Sequence, residues 1–127
     1  MKKDSCQRST FKSNHEVLKI TKNNLPIYSI HGNHDDPSGF ENFSSIDIFS
    51  GCELNYFGKV SNYEEFSLYP ILFIKGNTKI ALYGIGNLKD ERLFLALQNK
   101  KVDFNRPSDY TSWFNILIVH QNRFKRN

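Results

Sequence analysis

The chain has 127 residues, 39% of them hydrophobic, with eleven Phe and six Tyr. That is enough for one domain with a sizeable core, and it excludes a wholly disordered segment. A net charge of +4 and a pI near 9.1 suit a polyanionic partner, although lysine-rich solubility produces the same balance. No apolar run approaches the ~20 residues that span a bilayer, and no apolar stretch follows Met1-Lys2-Lys3, so these residues are not expected to be a secretory signal. Cys6 and Cys52 lack metal-type spacing and read as reduced thiols of an intracellular protein.

Residues 1–24 are polar and expected to be loosely ordered, with Val17, Leu18 and Ile20 as a short edge strand and Asn23-Asn24 as a turn. Residues 25–30 read as a strand that stops at Gly32. Phe40, Phe43, Ile46 and Phe49 recur every third residue, which predicts a helix over 40–49. Ser38 or Asp36 would cap it, Gly51 would end it, and its phenylalanines would face the core. Residues 55–58 and 65–68 are short strands or turns. Residues 71–75 and 78–85 are apolar runs joined by Gly76-Asn77, a two-residue hairpin whose second strand is apolar on both faces. Residues 90–100 predict a helix capped by Asp90, with Leu93, Phe94 and Leu97 on its apolar face and Lys100 and Lys101 in its last turn. Residues 106–112 form a polar loop, and residues 113–120 a second β-rich apolar run that ends at His120-Gln121-Asn122-Arg123.

A strand followed at once by potential ligands occurs twice. After residues 25–30 come Asn33, His34, Asp35 and Asp36; after the last apolar run comes His120. In layered α/β folds chemistry is presented at the carboxyl ends of strands. If the two strands are parallel neighbours, Asn33, His34 and His120 converge on one rim. An amide oxygen and an imidazole nitrogen both suit Mn²⁺, Fe²⁺ or Zn²⁺. Two such ions clamp the oxygens of a phosphodiester and acidify a bound water, and a histidine beside them can protonate the leaving oxygen. Singly, each residue has a plainer reading: His120 as a strand-end residue, Asn33 and Asp35 as turn formers. The contiguous Gly-Asn-His-Asp directly after a strand favours the site. His31 reads as structural and His15 as a surface residue.

Gly32-Asn33-His34-Asp35 resembles the third signature of the calcineurin-like metallophosphoesterases. SIHGNHDDPSG, IDIFSGCELNYFGK, KGNTKIALYGIGNLKDERL and RP…WFNILIVHQNR, in that order, resemble the eukaryotic meiotic recombination eleven family, nucleases of the double-strand-break repair complex. The resemblance covers roughly residues 25–125 and makes the chain the central part of a phosphoesterase domain. It implies a partial calcineurin-like α/β fold, layered sheets with flanking helices, incomplete at both ends. It makes Asn33 and His120 metal ligands, His34 the catalytic histidine and Asp35 its support. The helix through Ile46 and Phe49 resembles the family's dimer helix. Mn²⁺ is the implied cofactor; DNA, an ATPase subunit and a second copy are the implied partners; the nucleus is the implied compartment. Arg123 and Lys125 of the basic tail are candidate DNA contacts, through salt-sensitive phosphate bonds.

The family's Asp-x-His, Gly-Asp and Gly-His-x-His are all absent from this sequence. Two neutral ligands without a bridging carboxylate leave a pair of divalent ions uncompensated, and only Asp35 and Asp36 are at hand to replace it. The expectation is therefore a DNA-repair nuclease sequence in a chain that does not hydrolyse DNA alone. The rival classes are a non-catalytic product that binds DNA or a full-length copy, and a phosphoesterase of small phosphates.

Overall fold

The computed structural model describes residues 8–10, 16–19, 26–37, 43–49 and 54–122. Cys6, His15, Asn23, Asn24, Ser38, Phe40, Gly51, Cys52, Arg123 and Lys125 lie outside them. The described elements make a mixed α/β arrangement built on a five-stranded sheet. Its strands are β1 (Arg8–Thr10), β2 (Glu16–Lys19), β6 (Ile71–Lys75), β7 (Thr78–Ile85) and β9 (Phe114–Val119), in that spatial order. β3 (Ile27–Ser29) pairs in parallel with β4 (Leu54–Tyr56), and β5 (Phe66–Leu68) pairs in parallel with β8 (Val102–Phe104). Val17 and Leu18 were expected on an edge strand with Ile20, which lies outside the described residues; instead β2 runs parallel to β6 with β1 antiparallel on its other side, so it is an inner strand.

The hairpin forms as the sequence predicts. Lys75 pairs with Thr78 across Gly76-Asn77, and Gly76 takes the positive φ of 58° that the tight turn needs. Period-two alternation along β7 divides two layers. Ala81, Tyr83 and Ile85 join Leu72 in a core completed by Phe66 and Leu68 of β5, by Trp113, and by Leu93 and Ala96 of α2 (Asp90–Gln98). Phe73 and Leu82 are buried too, outside that cluster. Tyr28 of β3 meets Phe73 edge-on at 5.1 Å and Phe57 at 5.8 Å, and a Cβ at Gly84 would overlap the Phe57 ring. β7 is thus covered on both faces in its carboxyl half, which explains its uninterrupted apolar run.

Both helices differ from the pattern-based expectation. α1 (Ser45–Phe49) buries no residue, and Ile48 (77% exposed) and Phe49 (58%) face outward. Phe43 precedes the helix and is exposed, so the core-facing stripe is not realised. The cap of the described helix is Ser44 rather than Asp36: its hydroxyl accepts the Ile46 N–H, and Asp47 Oδ2 accepts the Ser44 N–H at 2.7 Å. Ser44's amide, more than any other group, holds the Asp47 carboxyl below its ordinary range. In α2 the buried positions are Leu93 and Ala96, one turn apart; Phe94 and Leu97 are rotated off that line and exposed. Lys89 holds the cap position, without a side-chain bond, and Asp90 is the first helical residue.

Lys100 and Lys101 lie beyond the helix rather than in its last turn. Lys101 N–H reaches Ala96 C=O at 2.9 Å and Lys100 N–H reaches Leu97 C=O at 3.1 Å, with Lys100 at φ 54°. This is a Schellman closure in which a lysine occupies the left-handed position that glycine favours. The expected polar loop before β9 carries a 3-10 turn (Tyr110–Ser112) anchored on Asp109. Its carboxylate accepts from Lys79 Nζ (2.8 Å), Ser112 Oγ (2.9 Å) and Trp113 Nε1 (2.8 Å). Among the described residues no helix is long and apolar enough to cross a membrane.

Two outcomes follow. Lys100→Gly should raise stability by about 0.5–1 kcal/mol, because relief of left-handed strain exceeds the added chain entropy; a shift of the urea midpoint measures it. Lys79 first, then Trp113 and Ser112, hold the Asp109 carboxyl below the usual 3.8. The unfolded chain therefore binds that proton first as pH falls. The stabilisation is full above the ordinary value and is lost as pH falls through the folded one. Asp109→Asn should flatten the acid limb of stability below about pH 4, read from urea midpoints across roughly pH 2 to 6.

Candidate functional site

The two ligand-bearing strands are not hydrogen-bonded neighbours. β3 belongs to the β3–β4 pair, whereas β9 lies parallel to β7 with Val119 opposite Ile85. The two still deliver their ends to one rim, because both are referenced to the end of β7. Gly86 N–H donates to Gly58 C=O at 2.8 Å and Asn87 N–H donates to His31 C=O at 2.9 Å. The first bond holds the end of the β4 segment and the second the end of the β3 segment. On the other side, Gln121 Nε2 donates to Leu88 C=O at 3.0 Å and holds the chain just after β9.

The consequence is a direct contact. Asn33 Oδ1 and His120 Nε2 are 3.1 Å apart. The His120 ring lies over Gly32, where a Cβ would approach it to 3.3 Å. In this contact the amide oxygen accepts and Nε2 donates; as a metal ligand Nε2 would be bare and the ring proton would sit on Nδ1. Two cis ligands at about 2.1 Å from one divalent ion stand roughly 3 Å apart, so the spacing suits joint coordination of a single cation. His34 is exposed, and no hydrogen bond joins its ring to a described residue. Asp35 faces away from the rim: its N–H closes the turn on Gly32 C=O at 3.2 Å, and its Oδ1 accepts the Ser45 hydroxyl at 3.2 Å. Asp36 Oδ1 lies 3.7 Å from His31 Nε2. Neither aspartate therefore stands in for a bridging carboxylate. Among the described residues no three His, Cys, Asp or Glu side chains group around a possible ion. Among the described residues, Asn33 and His120 are the two predicted donors that the fold brings into contact.

His31 is structural, as its sequence context suggests. It is 4% exposed, it lies 2.7 Å through Nδ1 from the Tyr56 hydroxyl, and burial lowers its pKa. Burial first, then the Asp47 charge, pushes the Tyr56 phenol up to about 12. The ring fills the space above Gly86, where any Cβ would overlap it. Sequence reasoning missed Tyr56, Ser44 and Ser45, the three hydroxyls behind the turn. A Ser-x-x-Asp cap at Ser44-Asp47 was the one legible sign.

No protein-family model matches the chain. Curated relatives do. Double-strand break repair protein MRE11 of Arabidopsis thaliana is 53% identical over 114 residues, that of Gallus gallus 50% over 103, and that of Homo sapiens 48% over 103. The chain is a homologue of the MRE11 double-strand break repair proteins. The matches cover 81%, 80% and 80% of the chain but only 16%, 15% and 14% of the respective relatives. The family resemblance carried by Gly-Asn-His-Asp and its companion segments is borne out at that level.

The dependence of the rim on β7's end has a direct check. Gly86→Ala should destabilise the chain by about 1–3 kcal/mol through overpacking against His31. A thermal melt should show the loss, since a Cβ at Gly86 would overlap the His31 ring.

Proposed function

We propose that this chain supplies one corner of the metal-dependent phosphodiesterase centre of a DNA double-strand-break repair nuclease with a calcineurin-like fold. The observation that carries the reading is the approach of Asn33 Oδ1 to His120 Nε2, 3.1 Å apart, at the ends of two strands of an MRE11-like sequence. In this reading Asn33 and His120 are two of the ligands of a Mn²⁺ pair, which when bound supplies the hydroxide and the charge on the phosphate. The bridging carboxylate and the other ligands come from outside the described residues. His34, exposed and without a described hydrogen-bond partner, meets the departing oxygen and gives it a proton. Asp35 supports the turn rather than touching substrate.

The remaining assignments rest on the family. The substrate is DNA ends, cut endonucleolytically and from 3′ to 5′. The partners are an ATPase subunit and a second copy, and the compartment is the nucleus, in repair and meiosis. The outward-facing Phe49 of α1 suits a contact between copies better than the half-buried Ile46 does. Arg123 and Lys125 are retained as candidate phosphate contacts.

With no bridging carboxylate among the described residues at the rim, the 127-residue chain should not cleave a single-stranded oligonucleotide above buffer in Mn²⁺. Gel analysis of the purified chain checks this. Metal-dependent cleavage that vanishes in His34→Ala would overturn the corner reading in favour of a complete site.

A further inference from the structure

The turn that carries Asn33 and His34 is held from behind by a side chain that plays no part in the reading above. Ser44 is 3% exposed, and its hydroxyl works twice. It donates to the Asp35 carbonyl at 2.6 Å and accepts the Ile46 N–H at 3.2 Å. The first bond holds the site turn; the second starts α1. Ser44 is itself fixed, because Asp47 Oδ2 accepts its N–H at 2.7 Å and pairs with Lys59 Nζ at 3.2 Å. Ser45 adds a weaker bond to the Asp35 carboxylate.

Asp35 is therefore held at three points: its N–H by Gly32, its carbonyl by Ser44 and its carboxylate by Ser45. Asn33 and His34 lie between Gly32 and Asp35, inside a closed turn whose far end is tied to a helix cap. Their backbone has little freedom left, so the direction of the Asn33 amide depends on where Asp35 is held.

We propose that Ser44 is a positioning residue. Through the Asp35 carbonyl it fixes the turn that aims the Asn33 amide at His120 and presents His34 outward. Its catalytic significance rests on the nuclease reading; the coupling of Ser44 to the Asn33–His120 contact does not.

The test uses the 127-residue chain and nuclear magnetic resonance. Glycine is tolerated at a helix N-cap, so Ser44→Gly removes the bond to Asp35 with little loss at α1. Exchange of the Asp35 amide should become roughly three- to tenfold faster, the scale of one net hydrogen bond. The ring ¹⁵N and ¹H signals of His120, on a different element, should shift. Ser44→Thr keeps the hydroxyl and should restore both. Asp47→Asn removes the charge paired with Lys59 but keeps an oxygen that can accept the Ser44 N–H, so the Ser44–Asp35 bond stays and the His120 signals should remain in place. If Ser44→Gly does not fold, Ser45→Ala at its exposed position should give a smaller change of the same sign. Unchanged Asp35 exchange and His120 signals in the folded variant overturn the proposal, and so does a matching response from Asp47→Asn. Neither readout uses metal or DNA, so this failure is told apart from failure of the nuclease reading.

Discussion

Two backbone hydrogen bonds at the end of β7 tie the strand before residue 33 to the strand whose neighbour runs into residue 120. Gly86 and Asn87 donate to Gly58 and His31, and so dock the β3–β4 layer against the end of the main sheet. Two neutral amide bonds contribute little individually, on the order of 1 kcal/mol each. Their importance lies in register. β9 is locked to β7 through a six-residue parallel ladder, so the same stretch of β7 fixes both strand ends. Gly58 contributes by its positive φ of 76°, and Gly86 by leaving room for a buried imidazole. The shared reference brings a side chain from residue 33 to one from residue 120 without any pairing between their strands.

The division of labour around the turn follows from the same economy of groups. His31, Tyr56, Ser44 and Asp47 lie behind it, where burial and mutual hydrogen bonds keep them neutral or paired. Asn33, His34 and His120 lie in front and are exposed. Polar groups that stabilise and polar groups available for chemistry are thus separated by a single turn of chain. An aspartate adjacent to a catalytic-type histidine need not be part of the chemistry; here Asp35 spends its oxygens on Ser44 and Ser45.

The most readable features of the sequence were those set by local rules. The Gly76-Asn77 hairpin, the doubly apolar β7 and the strands that precede Gly32 and His120 depend on period and turn chemistry, and all appear. The helices were less legible. α2 offers Leu93, Phe94, Leu95, Ala96 and Leu97 in succession, so its true face, Leu93 with the small Ala96, is hidden by larger neighbours. The phenylalanine spacing before α1 mimicked a helix longer than the five residues described. The short β8 and the Asp109 hub depend on contacts distant in sequence, with β5 and Lys79 respectively. At the site, the residues in front of the turn could be named from their chemistry. The hydroxyls behind it could not, since serine and tyrosine have many ordinary uses.

β9 has a further consequence for the behaviour of the polypeptide in a cell. Its six residues, FNILIV, include no charge, and Phe114, Leu117, Ile118 and Val119 are exposed. Among the described residues it is paired on one side only. An apolar, uncharged edge strand of this kind is a template for strand-on-strand association. Unless other polypeptide covers it, this edge offers its apolar side chains and the backbone groups of its second side to any strand that can pair with it.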